Sequence, residues 1–132
     1  MRLKSSWQEI NGCYLSAFVS PPSDATHQVF VSANDLDAYE AKIGRKIPVS
    51  MVFLAWGHPD RMAKFPVQWA NEMIGRGTMP HICWEPWIFG TRDEHYRNLL
   101  IAAGRWDAYI RSWAVAIRNW GHPIFLRWGH EM

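Results

Sequence analysis

The stretch IPVSMVFLA, residues 47–55, decides the fold class because it is apolar almost without interruption. Strands of antiparallel sheets usually alternate apolar and polar residues, since one of their faces meets solvent. A continuous apolar run of this length is typical of a parallel strand that is covered on both faces. We therefore predict a parallel β-strand at this position, with helices before and after it.

Helical signals flank this strand on both sides. Residues 32–43 (SANDLDAYEAKI) begin with a capping box, and Gly44 is placed to end the helix that follows. Residues 56–60 (WGHPD) have the composition of a loop. The next helix begins near Pro66, a residue that suits the first helical turn, and it ends near residues 75–77.

The alternation of strand and helix continues toward both ends of the chain. Residues 11–19 and 79–84 have the composition of buried strands, and residues 123–129 (PIFLRWG) form a fourth. A short helix near residues 93–103 precedes a long one at residues 105–120, whose apolar side chains recur at helical spacing. Strands joined by helices imply right-handed crossovers. The sequence therefore predicts an α/β fold with four parallel strands in sequential order.

Length and composition limit the class of protein. The 132 residues are 48% hydrophobic and 20% charged, which suits a globular domain. The net charge of +2 and the absence of a Lys/Arg cluster predict no nucleic-acid partner. No apolar run reaches the roughly 20 residues of a membrane span, and residues 1–10 lack the apolar segment of a signal peptide. We predict one domain over residues 1–132. A complete (β/α)8 barrel needs roughly 250 residues, so only about half of one would fit in this length.

The fourth strand ends in RWGHE, residues 127–131, at the kind of strand end where parallel α/β proteins carry functional residues. Residues two apart on a strand point the same way, so Arg127, Gly129 and Glu131 share one face, and Trp128 and His130 share the other. Burying these ionisable groups at the end of an apolar strand is unfavourable without a purpose. The alternative is a structural ion pair between Arg127 and a neighbouring strand.

The second and third strands also end in candidate binding residues. His58 can bind a sugar hydroxyl or a backbone partner, and Glu85 can act as a second carboxylate or as a hydrogen-bonding loop residue. The chain contains 9 Trp. An indole at a strand end either packs in the core or offers a flat apolar face on which a sugar ring stacks. Four tryptophans fall at strand ends and carry this possibility: Trp56, Trp84, Trp87 and Trp128.

The segment PIFLRWGHEM, residues 123–132, resembles the fourth-strand signature of glycoside hydrolase family 26, the family of many β-mannanases. Weaker similarities occur in the right order at GCYLSAF, residues 12–18, and at AGRWDAYI, residues 103–110. The family signature continues with Asn-Gly. The resemblance therefore implies that the chain ends inside this motif, as a fragment of a longer enzyme.

The resemblance implies that the chain forms the first four β/α units of a TIM (β/α)8 barrel. Glu131 matches the general acid/base of the family, and Arg127 and His130 match residues that flank it. The family is retaining, and its glutamate nucleophile lies on a seventh strand, beyond residue 132. Retaining hydrolysis needs two carboxyl groups about 5–5.5 Å apart. We therefore expect these 132 residues alone to be inactive.

The resemblance also implies a polysaccharide or oligosaccharide as the partner. Mannan with β-1,4 linkages is the first substrate, with mixed-linkage β-glucan or xylan as alternatives. A non-catalytic carbohydrate-binding barrel is the competing class. The histidines show no metal spacing, and no phosphate loop or dinucleotide fingerprint is present, so we predict no metal and no cofactor. We expect a monomeric full-length protein. The family suggests an extracellular or cell-surface location, although no signal peptide is seen.

Overall fold

A computed structural model describes residues 16–19, 30–58, 61–88 and 98–129 of the chain. These residues form a mixed α/β fold with one four-stranded sheet, so the predicted α/β class is confirmed, whereas the barrel stays a prediction. In the described ranges, no helix has the length and apolar character that crossing a membrane requires. In chain order the elements are α1 (Ala33–Ile43), β1 (Val49–His58), β2 (Arg61–Met62), α2 (Val67–Gly75), β3 (Met79–Ile88), α3 (Asn98–Ala102), α4 (Asp107–Trp120) and β4 (Phe125–Trp128).

Three strands are parallel neighbours in the order β1, β3, β4. β1 pairs with β3 from Val49 opposite Met79 onward, and β4 pairs with β3 up to Trp128 opposite Trp84. These are the second, third and fourth strands predicted from the sequence. Their parallel, sequential arrangement is therefore confirmed.

The predicted loop at residues 56–60 is wrong in its first half. β1 continues to His58 and then pairs antiparallel with β2, with Gly57 opposite Met62 and His58 opposite Arg61. The register of β1 against β3 shifts between Ala55 and Gly57. Such a bulge bends a strand near its end, and here tertiary pairing overrides the local turn signal of Gly57.

The predicted first strand is only partly described. Residues 11–15 lie outside the described ranges, and residues 16–19 have no strand pairing. The Ser16 hydroxyl donates to the Val49 carbonyl, and the Phe18 ring lies 5.5 Å from that of Phe53. The segment therefore runs beside β1 without joining the sheet through a backbone ladder.

The helix ends follow the local signals. The Ser32 hydroxyl accepts the Asp35 N–H at 3.2 Å, and the Asp35 carboxylate accepts the Ser32 N–H at 3.0 Å, which completes the predicted capping box. Gly44 ends α1 with φ of 68°, a left-handed conformation that glycine adopts without steric penalty. Of the predicted helix at residues 93–103, the described part forms α3, and residues 91–97 lie outside the described ranges.

The two faces of the sheet differ. One face packs against the helices, and the alternate residues Val52, Leu54 and Trp56 of β1 belong to the buried core on this side. The opposite face carries apolar rings that reach solvent, including Phe53 of β1 and Phe125 of β4. Residues adjacent in sequence at a strand end therefore have different surroundings.

A buried carboxylate, Glu40, joins the helices to the starts of the strands. It accepts hydrogen bonds from the Ile47 N–H at 2.7 Å, from Lys46 Nζ at 2.7 Å and from Arg76 Nη2 at 3.0 Å. Arg76 Nη1 also donates to the Thr78 hydroxyl at 2.9 Å, and that hydroxyl donates to the Ile47 carbonyl. Burial raises the pKa of Glu40, but the hydrogen bonds outweigh it and hold the pKa at about 2, against 4.5 ordinarily.

Acid should destabilise the protein through this group. Because the folded pKa of Glu40 lies below the unfolded value, ionised Glu40 contributes stability above pH 4.5, which is lost as the pH falls toward about 2. Glu40→Gln should lower the free energy of unfolding at neutral pH by about 1–3 kcal/mol and flatten this pH dependence. Urea unfolding across this pH range measures both effects. Asp37→Asn is the control, because Asp37 also forms an ion pair with Arg76 but its side chain is exposed. An unchanged pH dependence in Glu40→Gln would contradict the prediction.

Candidate active site at the carboxyl ends of the strands

Four predicted site residues lie at one end of the sheet. Trp84 and Glu85 are consecutive residues near the end of β3, and Arg127 of β4 is in register with Cys83 just before them. Trp56 lies at the matching level of β1, at the bulge. This is the carboxyl end of all three parallel strands.

The other three predicted site residues are not described as side chains. The backbone of His58 ends β1, but its side chain lies outside what the structure describes. His130 and Glu131 fall after residue 129 and lie outside the described ranges. Their roles therefore stay predictions.

Trp56 and Trp84 occupy the face of the sheet that packs on the helices. Trp56 is 0% exposed and Trp84 is 3% exposed. Their ring centroids are 4.8 Å apart, and they lie 5.0 Å from Tyr109 and 4.8 Å from Trp113 of α4, respectively. Of the two alternatives left open for these indoles, core packing or a platform for a sugar ring, their burial favours core packing. Strand alternation turns them toward α4, where they form part of the core.

Glu85 and Trp87 form a pair on the opposite side. Trp87 Nε1 donates a hydrogen bond of 3.0 Å to Oε2 of Glu85. The Glu85 side chain is buried, whereas Trp87 is 37% exposed. The bond holds one edge of the indole, so a partly accessible apolar ring stands next to a carboxylate.

Arg127 adds a positive charge to this face. Arg127 is exposed and pairs in register with Cys83. It therefore lies on the same face of the sheet as His81 and Glu85, the residues two before and two after Cys83. Burial lowers the pKa of His81, and the nearby Arg127 guanidinium lowers it further. Burial also raises the pKa of Cys83, as does Glu85, while Arg127 opposes them. The side chains of Arg127, His81, Glu85 and Trp87 are termed here the strand-end patch, whereas Cys83 is buried beneath them.

The sequence alone singles out neither His81 nor Cys83 as part of a site. Cys83 is predicted only to be a buried free thiol, and the structure confirms this. The useful signal is the alternation of His81, Cys83 and Glu85 along β3, because every second side chain of a strand lies on the same face. Cys13 lies outside the described ranges.

The chain leaves β4 through a left-handed glycine. β4 ends at Trp128, and Gly129 has φ of 60°. The Gly129 N–H donates to the Trp84 carbonyl at 3.1 Å, and the Gly129 carbonyl accepts a hydrogen bond from the Cys83 thiol at 2.9 Å. A left-handed residue breaks the two-residue repeat of a strand. Alternation therefore stops at Trp128 and assigns no face to Glu131, which corrects the sequence argument.

Helix α4 contacts the main chain near the end of β1 and just after β2. The Tyr109 hydroxyl lies 2.8 Å from the Ala63 carbonyl oxygen and 3.1 Å from that of Trp56. Trp113 Nε1 donates to the same Ala63 carbonyl at 2.9 Å, and the Ala63 N–H donates to the Trp56 carbonyl. Tyr109 and Trp113 of α4 thus hold the carbonyl groups of Trp56, in β1, and of Ala63, just after β2.

The strand-end patch has the chemistry of a surface that binds a neutral, hydroxyl-rich ligand. A carboxylate accepts hydrogen bonds from hydroxyl groups, and a guanidinium donates hydrogen bonds to them. An indole stacks on the apolar face of a ring. In the part of the chain that the structure describes, no three His, Cys, Asp or Glu residues are grouped closely enough to hold a metal ion. Fold and patch define an α/β protein with a candidate binding surface at the carboxyl ends of parallel strands.

Comparison with known proteins gives one informative similarity. No protein-family model matches the chain. The chain is similar to a protein named Endoglucanase H from Acetivibrio thermocellus, with 28% identity over 100 residues. The matched region covers 76% of this chain but 10% of the relative, so the chain spans a small part of the length of the protein it matches.

Proposed function

We propose that this chain is part of a glycoside hydrolase that cleaves a β-linked polysaccharide. The observation that carries the proposal is the similarity to a protein named Endoglucanase H over 76% of the chain. The strand-end patch supports it, because barrel hydrolases carry their chemistry at the carboxyl ends of parallel strands. The parallel order of β1, β3 and β4, with helices between them, fits the first half of a (β/α)8 barrel within one catalytic domain.

In this proposal Glu131 is the general acid/base, with Arg127 and His130 beside it. Glu131 protonates the leaving oxygen while a second carboxylate, outside these 132 residues, attacks the anomeric carbon. Water then releases the covalent glycosyl intermediate, and Glu131 takes the proton from that water. The charge of Arg127 suits the second carboxylate or a sugar hydroxyl, since a guanidinium is a strong donor to both.

Two substrates have specific support. The name of the relative favours β-glucan, and the resemblance of residues 123–132 to the family 26 signature favours β-1,4-mannan. Glucose and mannose differ only in the orientation of the hydroxyl on carbon 2, so a few hydrogen-bonding groups decide between them. A non-catalytic sugar-binding barrel would use the same patch without cleaving the ligand.

Reducing-end assays test the proposal. The 132-residue chain and the full reading frame that contains it are incubated with mixed-linkage glucan, mannan and xylan. We expect the full reading frame to release reducing ends from one of these, and the 132 residues alone to release none, because the second carboxylate of the proposed mechanism lies outside them. Binding without cleavage by the full protein would favour the sugar-binding barrel. If the full protein neither binds nor cleaves any of these polysaccharides, the proposal is wrong.

Trp87 should contribute to sugar binding. Trp87→Ala removes the accessible indole of the strand-end patch and should weaken oligosaccharide affinity about fivefold, the effect of roughly 1 kcal/mol of ring contact. Isothermal titration with cello- and manno-oligosaccharides measures the affinity. Phe125→Ala is the matched control. Phe125 is also an exposed ring on this face, but it is the first residue of β4, opposite His81, and lies away from the carboxyl ends of the strands. Equal losses in both variants would argue against a specific role for Trp87.

A further inference from the structure

We propose that Glu85 is a positioning residue that holds the Trp87 indole in one orientation, so that the ring is ready to stack on a sugar before the ligand binds. The sugar part of this inference rests on the proposed function. The structural part rests on contacts of β3 alone, and a measurement without any ligand tests it.

The backbone that carries the two side chains is fixed on both sides of Trp87. Glu85 and Ile88 are each in register with a residue of β1, so paired positions flank the indole. Pro86 separates Glu85 from Trp87, and its ring fixes the φ of this residue at about −65°. The backbone therefore offers the two side chains little freedom to move apart.

The hydrogen bond between the side chains restricts both torsions of Trp87. Nε1 donates to Oε2 of Glu85 at 3.0 Å. A tryptophan side chain has two rotatable torsions, and the position of Nε1 depends on both of them. Rotation about either torsion moves Nε1 away from the carboxylate. The bond therefore opposes both rotations and holds the plane of the ring.

Burial gives the two residues different roles. Glu85 is 5% exposed, so a ligand has little access to its carboxylate, whereas the Trp87 ring reaches solvent. Burying a carboxylate is unfavourable unless it accepts hydrogen bonds, and the Trp87 indole supplies one of them. Glu85 therefore acts on a ligand through Trp87 rather than by direct contact.

A ring that is already ordered binds a sugar at a lower entropic cost. Immobilising a free side chain on binding lowers the affinity, and this loss is absent when the folded protein already holds the side chain. The ring faces of β-linked pyranoses are largely C–H, and an indole stacks on such an apolar face. Glu85 and Trp87 thus provide a preformed stacking surface for one sugar unit of a β-linked chain.

Indole N–H signals in NMR spectra of the 132-residue chain test the pairing without a ligand. The Trp87 signal is assigned by its loss in Trp87→Phe. Glu85→Ala removes the acceptor and should speed exchange of the Trp87 indole proton about fivefold, whereas Glu85→Gln keeps an oxygen acceptor and should stay near wild type. The internal reference is the Trp69 indole, which donates to the Val31 carbonyl at 3.0 Å. Unchanged exchange of the Trp87 proton in Glu85→Ala would overturn the proposal.

Isothermal titration of the full reading frame with cello- and manno-oligosaccharides tests the positioning role. Glu85→Ala should weaken the affinity about threefold, the usual effect of ordering one side chain on binding, and Glu85→Gln should restore it. In a Trp87→Ala background, Glu85→Ala should cause no further loss, because the ring that it positions is gone. The same threefold loss in that background would overturn the positioning role. A wild-type protein that binds none of these sugars would contradict the proposed function instead, and the indole exchange alone would then decide whether Glu85 holds Trp87.

Discussion

Glu131→Ala in the full reading frame should reduce cleavage of polysaccharide about a hundredfold to ten-thousandfold, the usual contribution of a positioned general acid. The reason is that an alkoxide sugar leaves poorly unless its oxygen is protonated. Aryl glycosides with good leaving groups depart without protonation, so their bond cleavage should slow much less. Measuring kcat/KM on both substrate types separates the acid role from a general loss of binding or folding.

Glu85→Gln provides the matched control for Glu131→Ala. Glu85 is a carboxylate of the strand-end patch, but it is buried and lies on β3 rather than beyond β4, so we expect it not to protonate the leaving group. Its replacement should reduce kcat/KM by the same factor for good and poor leaving groups. If Glu131→Ala also gave equal losses on both, the acid assignment would be wrong.

Trp113→Ala should be the most destabilising substitution in the described core, with a loss of about 3–5 kcal/mol in the free energy of unfolding. Its buried ring lies 4.8 Å from that of Trp84 and 5.8 Å from that of Phe65. Its Nε1 also donates a hydrogen bond to the carbonyl of Ala63, the residue that follows β2. Removal therefore leaves a large cavity and leaves the Ala63 carbonyl with one hydrogen-bond donor fewer. Urea unfolding followed by circular dichroism measures the loss.

Two further variants separate the contributions of Trp113. Trp113→Phe keeps much of the ring but leaves the Ala63 carbonyl with one donor fewer, and it should cost less than Trp113→Ala. Val115→Ala lies on the same helix at an exposed position and should change stability by less than about 0.5 kcal/mol. Similar losses for Trp113→Ala and Val115→Ala would show that the α4 contact does not hold the core.

Several elements could be predicted from local sequence because the signal lies in the element itself. The capping box at Ser32 and the left-handed Gly44 depend on side chains and backbone within one or two turns, and both bounds of α1 were predictable. The apolar run at residues 47–55 predicted a parallel strand, because covering both faces of a strand requires apolar residues at every position. The end of β1 was not predictable, since its last residues pair with β2, a partner recognised only in the folded sheet.

The amino-acid sequence by itself determined the α/β class, the helix ends and the order of three parallel strands. Tertiary structure alone decided which strand-end side chains share a surface. Trp84 and Glu85 are neighbours in sequence, yet Trp84 lies in the core and Glu85 in the strand-end patch. Both faces of the sheet are largely apolar, so composition does not show which face the helices cover. The folded structure shows that they cover the face that carries Trp84. Gly129 is similar: glycine accepts either sign of φ, so the residue type alone could not predict that Gly129 has a φ of 60° and ends the regular strand.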